Sequence, residues 1–214
     1  MSYSVLNPVF VQGFLVSGGL IVAIGAQNAY VLKQGLLKNH VFWVVLTCFL
    51  CDFILISIGV LGMGSLIAQS VMATIALALV GALFLTVYGF RALMSAFRGD
   101  SALSIDASPK ATTLAATIGT TLALTLLNPH VYLDTVVIIG GVASTLSPDG
   151  RWLFLAGALL ASASWFFGLG YGARLLIPLF KKPITWRILD ALIALVMWLI
   201  AFNLAIYAHR LYFG

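Results

Sequence analysis

The chain alternates long apolar runs with short polar stops. Runs near residues 8–32, 41–61, 71–94, 152–173 and 188–207 each reach the ~20 residues that a helix needs to cross a hydrocarbon core of ~30 Å. A further run behaves differently. After the polar linker RGDSALSIDASPK, weakly polar and apolar residues continue from 111 to 146. At ~1.5 Å per residue this is too long for one crossing and too short for two. Asn128-Pro129 lies in its middle. Proline removes a backbone donor and restricts the residue before it, so a broken helix is predicted there. The pattern predicts an all-α polytopic membrane protein of about six spans, forming a single transmembrane domain over residues 1–214.

Composition agrees with that pattern. Hydrophobic residues make up 62% of the chain and charged ones 8%, with a mean hydropathy of +1.12, whereas soluble domains carry roughly 25% charge. Eleven Lys and Arg with six acids, all of them Asp, cannot solvate a soluble globule of 214 residues. The formal charge of +5 does not point to nucleic acid, because the bases fall between apolar runs rather than on one face. They read as topogenic charges. Three connections hold Lys33, Lys38, Arg91, Arg98, Lys110, Arg174, Lys181, Lys182 and Arg187, whereas the opposite side holds Arg151 and Arg210. The positive-inside rule puts the first group in the cytoplasm and both termini outside. Residues 1–7 carry no Lys or Arg, and the run after them lacks a cleavage site, so the first helix is expected to stay. Trp43, Trp152 and Trp186 sit at helix starts, as interfacial anchors do. Cys48 and Cys51 form a CxxC inside an apolar run, where packing is the expected role.

Two acids stand alone within spans. Asp52 is the one charged residue between Lys38 and Arg91, and Asp134 the one between Lys110 and Asp149. A carboxylate near mid-membrane costs about 2.5–3.5 kcal/mol on insertion scales, so it should face a polar cavity, meet a cation or carry a proton. A cationic substrate, a proton, or both in turn would fill that role; a protonated Asp bonded between helices is the bland alternative. Polar clusters fall at the helix interruptions. IGAQNAY contains Gly25, Gln27 and Asn28, and LNPHVYLD contains Asn128, Pro129, His130, Tyr132 and Asp134. Setting Gly25 over Asn128 aligns Gln27 with His130. This divides the chain into repeat one (about 8–95), a linker (96–111) and repeat two (about 112–210). Three spans per repeat make the second copy inverted, an arrangement in which broken helices meet near the midplane. Half-helix N-termini would then offer N–H groups to a substrate carboxylate.

These segments also carry a resemblance. IGAQNAYVLKQG, an Asp in the second span, and LNPHVYLDTVVIIGG followed by RW and SWFFG resemble the LysE-type exporters of basic amino acids, over nearly the whole chain. The family commonly has GPQN where this chain has Ala26, which removes a proline from the first break and leaves Gly25 to loosen it. The resemblance implies a multi-pass protein of the bacterial inner membrane that exports arginine or lysine, driven by protons, with no cofactor and no metal. Its partners would be the basic amino acid, protons and membrane lipid, not nucleic acid; a homo-oligomer is compatible with it. Export of neutral amino acids or related metabolites is the alternative. The positions that it carries over are Gln27, Asn28, Asp52, Asn128, Pro129, His130, Tyr132 and Asp134. Asp52 and Asp134 would read a cation or exchange protons, and Gln27, Asn28 and Asn128 would bond the amino-acid head. Tyr30 or Tyr132 could cover a guanidinium, although packing is commoner for an in-span tyrosine. His130 could relay protons or bond a freed carbonyl.

Other features read as structural. Glycines in GVLGMG (59–64) and GLGYG (168–172) allow close helix approach. Arg91 and Arg174 lie at helix ends, where they snorkel. Asp190, close to Arg187, suits the first turn of the last helix, and Trp165 reads as core. Ser162 and Ser164 lie within a span, but no nucleophile motif accompanies them and the one in-span histidine is His130, so an intramembrane enzyme is not expected.

Overall fold

In a computed structural model of the chain, residues 7–22, 25–62, 71–98 and 112–213 are described, and among them every regular element is helical. Helix α1 (Pro8–Ile21) and α2 (Ala26–Leu37) form a pair bent by 84°. Helices α3 (Val41–Val60) and α4 (Val71–Arg98) follow. A second bent pair, at 64°, joins α5 (Leu114–Leu126) to α6 (Pro129–Ser144). Then come α7 (Pro148–Gly172), a 3-10 stretch (Ala173–Lys181) and the long α8 (Pro183–Phe213). Among the described residues, four helices are long and apolar enough to cross a membrane, and there are up to six spans if each bent pair crosses as one. The linker residues 99–111, together with Ile24 and Gly64, lie outside the described residues.

Local chemistry sets the ends. Asn7 caps α1 through Val9 N–H at 2.9 Å, and Pro8 takes the first helical position, where its missing N–H costs nothing. Thr113 and Ser147 cap α5 and α7 through Ala116 and Gly150 N–H, each at 3.3 Å. Inside α6, residues Leu133–Ile138 widen into a π-helical turn that holds Asp134, a local widening common at functional sites.

Polarity runs inside out compared with a soluble domain. Leu83, Phe97, Leu175 and Phe202 are exposed, whereas Asp52, Asp190, Ser17, Ser162, Thr121, Thr125 and Thr135 are buried. The threonines of α5 return their hydroxyls to carbonyls one turn back, Thr121 to Thr117 and Thr125 to Thr121, each at 2.9 Å. Helix α4 packs along α8, α3 packs against α7, α1 and α2 lie on α7, and α5 and α6 lie on α3. Glycine makes these seams close. A Cβ on Gly157 would fall on the Phe10 carbonyl and one on Gly13 on that of Phe154, so α1 and α7 meet backbone to backbone. Of the glycines expected to do this, Gly59 and Gly170 are tightly enclosed, while Gly168 and Gly172 face open space.

Three expectations change. The first span does not end at residue 32: α2 continues to Leu37, so Lys33 is helical rather than in a connection. The last helix begins at Pro183, not near 188, which puts Asp190 two turns inside it and leaves it 1% exposed. Trp186 is also 1% exposed and gives its indole N–H to the Phe180 carbonyl at 2.7 Å, so it is core and not a lipid-facing anchor. Trp43 and Trp152 are exposed. Cys48 and Cys51 are buried free thiols.

Candidate functional site

Both helix breaks open into one cavity. Its volume is about 220 Å³, below the ~300–1,000 Å³ of drug-sized sites and suited to a small metabolite. Gly25, Gln27 and Asn28 reach it from the first break, Asn128, His130, Asp134 and Thr135 from the second, and Asp52 from α3. Leu20, Ile139, Phe166 and Ile200 supply apolar wall. Residues that are more than 100 positions apart in sequence therefore converge. Among the described lining residues there is no Lys or Arg, and His130 is the one basic side chain that the two acids share the space with.

The first break holds without proline. Gly25 is extended (φ −125, ψ 176) and provides no side-chain cap to the first turn of α2, whose residues Ala26, Gln27 and Asn28 line the cavity. Asn28 ties the two halves together: its amide N–H donates to the Ile21 carbonyl at 2.8 Å, and its oxygen accepts the Trp165 indole N–H at 3.2 Å. A freed carbonyl within a membrane needs such a donor. The Nε2 of Gln27 is buried, lies beside the Cys48 thiol and meets no nitrogen or oxygen acceptor among the described residues, so a bound ligand oxygen could still engage it.

At the second break, Asn128 caps α6 by accepting the His130 N–H at 3.1 Å, with Pro129 at the first helical position. Pro129 is buried. Tyr132 does not line the cavity; its hydroxyl donates to the Leu126 carbonyl at 2.9 Å across the break. Tyr30 packs edge to face on Tyr88, with ring centres 6.1 Å apart. The His130 ring lies 6.0 Å from that of Tyr207. A second cavity of about 470 Å³ shares His130 and Ile200 and runs past Asn203 and Tyr207 to Arg210.

Asp52 is 4% exposed and accepts the Ser162 hydroxyl at 2.7 Å. Asp134 is half-buried in the π turn. Ser162 escapes sequence reasoning because it reaches Asp52 across 110 positions. Trp165 had a signal, its place in SWFFG, but its partner is set by packing. Lys33 forms an ion pair with Asp190 at 2.5 Å, and Ser95 donates to the other Asp190 oxygen at 2.7 Å. The sequence pattern alone places Lys33 in a connection and Asp190 in the first turn of the last helix, close to Arg187. Among the described residues no group of three His, Cys, Asp or Glu side chains could hold a metal ion.

Comparison with known proteins follows the same segments. The family model described as "LysE type translocator" matches residues 19–208. The chain is 41% identical over 203 residues to the "Arginine exporter protein ArgO" of Yersinia enterocolitica, covering 92% of this chain and 96% of that protein. It is 41% identical over 194 residues to the "Putative amino-acid transporter YggA" of Aeromonas salmonicida, covering 91% and 94%. The protein of that name in Aeromonas hydrophila is 44% identical over 167 residues, covering 78% and 74%. No solved structure matches.

Proposed function

The chain belongs to the LysE type translocator family, and from that premise we propose that it exports basic L-amino acids, arginine or lysine, across the bacterial inner membrane through the cavity at its two helix breaks. One observation carries the choice of substrate. Asp52 and Asp134 line a single cavity whose described lining includes no Lys or Arg. An amino acid with a cationic side chain brings two positive groups and one carboxylate. The two acids would take the former, while the uncapped first turn of α2 and the Gln27 amide would take the latter. Asn28, Asn128, Pro129 and Tyr132 hold the breaks in shape, and His130 stands where the two cavities meet.

The transport cycle is alternating access in which two inverted halves rock about the cavity, with a proton and the substrate cation competing for at least one Asp. The packing pattern supports two equivalent halves. α4 lies on α8 and α3 on α7, and each half's bent pair lies on the second helix of the other half. Exchanging the halves leaves this pattern unchanged. The wider cavity toward Arg210 supports a route to the side away from most Lys and Arg residues. All of this is organised within one transmembrane domain.

The test is efflux of labelled arginine and lysine from proteoliposomes, with and without a pH gradient, against a panel of neutral amino acids. Gradient-dependent efflux of the basic pair supports the proposal. Movement of neutral amino acids alone overturns it and selects the alternative substrate class. A finer prediction concerns Trp165. In Trp165→Phe the packing remains but the indole N–H to Asn28 is lost, a hydrogen bond worth about 0.5–1.5 kcal/mol, so the efflux rate should fall by up to about tenfold with membrane abundance unchanged. An unaltered rate would show that the contact does not support the break.

A further inference from the structure

The triad of half-buried Lys33 and Ser95 around buried Asp190 lies outside the cavity and has no part in the transport reading above. Asp190 is 1% exposed, with one carboxylate oxygen 2.5 Å from the Lys33 ammonium and the other 2.7 Å from the Ser95 hydroxyl. Its height can be read along two helices. On α8, Asp190 precedes the cavity residue Ile200 by ten positions, about 15 Å at helical rise, toward the end that carries Lys182 and Arg187. On α2, Lys33 lies five positions beyond the cavity residue Asn28, in the same direction. Tyr30 stands between Asn28 and Lys33, buried against Tyr88. The triad therefore sits on the Lys/Arg-rich side of the cavity, behind a tyrosine barrier.

Its two parts differ in how firmly they are held. Asp190 and Ser95 come from α8 and α4, the pair packed together along most of their length. Lys33 comes from α2, whose link to α1 is the 84° break, and its side chain keeps 15% exposure. The carboxylate and hydroxyl thus form a fixed seat, and the cation in it is a point charge on a flexible four-carbon stem. That cation is chemically the end of a lysine side chain. A buried carboxylate needs a cation whichever molecule provides it.

We propose that Asp190 and Ser95 form a second cation seat on the Lys/Arg-rich side of the cavity, filled by Lys33 when that side is shut and by the cationic end of an incoming amino acid when it is open. The inference rests on the reading of this chain as a basic amino-acid carrier. Lys33 then acts as an internal substitute for substrate: displacing it frees α2 to move at the break, which also reshapes the cavity that Gly25, Gln27 and Asn28 line.

The experiment is equilibrium binding of radiolabelled lysine to the purified protein in lipid nanodiscs. Native protein should bind one lysine per chain, at the central cavity. Lys33→Gln vacates the seat and should bind two, and adding Asp190→Asn should return the number to one. One lysine bound by both native protein and Lys33→Gln overturns the second seat while leaving the carrier reading intact. No lysine bound by folded native protein overturns the carrier reading, and this inference with it. Because Lys33→Gln takes the ammonium away from a buried acid, the neutral pair Lys33→Gln/Asp190→Asn gives a second readout. It keeps a hydrogen-bonded contact and should bind one lysine with native affinity, yet export it with a KM about tenfold higher. An unchanged KM makes the triad a packing contact.

Discussion

Asp52→Asn should lower arginine or lysine efflux by at least about a hundredfold, or ~2.7 kcal/mol in the transition state, while membrane abundance stays at the native level. The substitution is close to isosteric. An Asn oxygen can still accept the Ser162 hydroxyl that reaches Asp52 at 2.7 Å, so α3 and α7 lose no packing. What disappears is the negative charge that a cation entering the cavity would meet, and a cation left there without a counter-charge carries a penalty of several kcal/mol. Asp134→Asn should have the same outcome, because the second acid lines the same space from the π turn of α6. Ser162→Ala provides the contrast. It removes one hydrogen bond and leaves the charge, so its effect should remain within about tenfold. Efflux from proteoliposomes normalised to inserted protein separates these cases. Native rates in both Asn variants would demote the acids to helix-packing residues and remove the argument for a cationic substrate.

The parts of the site that could be read from sequence are those for which a single residue violates its surroundings. A lone Asp in an apolar run signals itself by its desolvation cost, which is why Asp52 and Asp134 stand out. Asn-Pro in a run too long for one span announces a break for a similar reason, and the bend of 64° lies there. Partners were less visible. Asn28 and Tyr132 look like ligand groups because they are polar and near the breaks, yet each donates to a carbonyl that the break has freed, Ile21 and Leu126 respectively. Sequence shows that a donor is needed there but not which residue supplies it. Helix boundaries hide the Lys33–Asp190 pair from sequence: α2 continues to Leu37 and α8 starts at Pro183, so both residues lie inside helices rather than at their ends. Their meeting depends on the 84° turn between α1 and α2, a tertiary angle with no local signature.

Gly140→Leu should abolish transport outright and reduce the amount of folded protein recovered from membranes, whereas Gly141→Ala, one residue away, should be close to neutral. The difference follows from what each position meets. A Cβ at Gly140 would strike the Gly59 carbonyl, and one at Gly59 would strike the Thr135 carbonyl, while a Cβ at Gly141 meets nothing within 4 Å. Backbone cannot yield as a flexible side chain can, so the larger residue must push α6 away from α3. Overpacking of this kind costs typically 1–3 kcal/mol, and more where neither surface can relax. The consequence reaches the chemistry because this seam sets the spacing of the two acids. Asp134 and Thr135 sit just before Gly140 on α6, and Asp52 lies two turns before Gly59 on α3, so a wedge between Gly59 and Gly140 moves the walls of the cavity apart. Gly59→Leu should act in the same way from the other side. Efflux and detergent-extracted monodisperse yield, measured together for Gly59→Leu, Gly140→Leu and Gly141→Ala, test the argument. Native efflux in either leucine variant would mean that the acids do not need this seam to share one cavity.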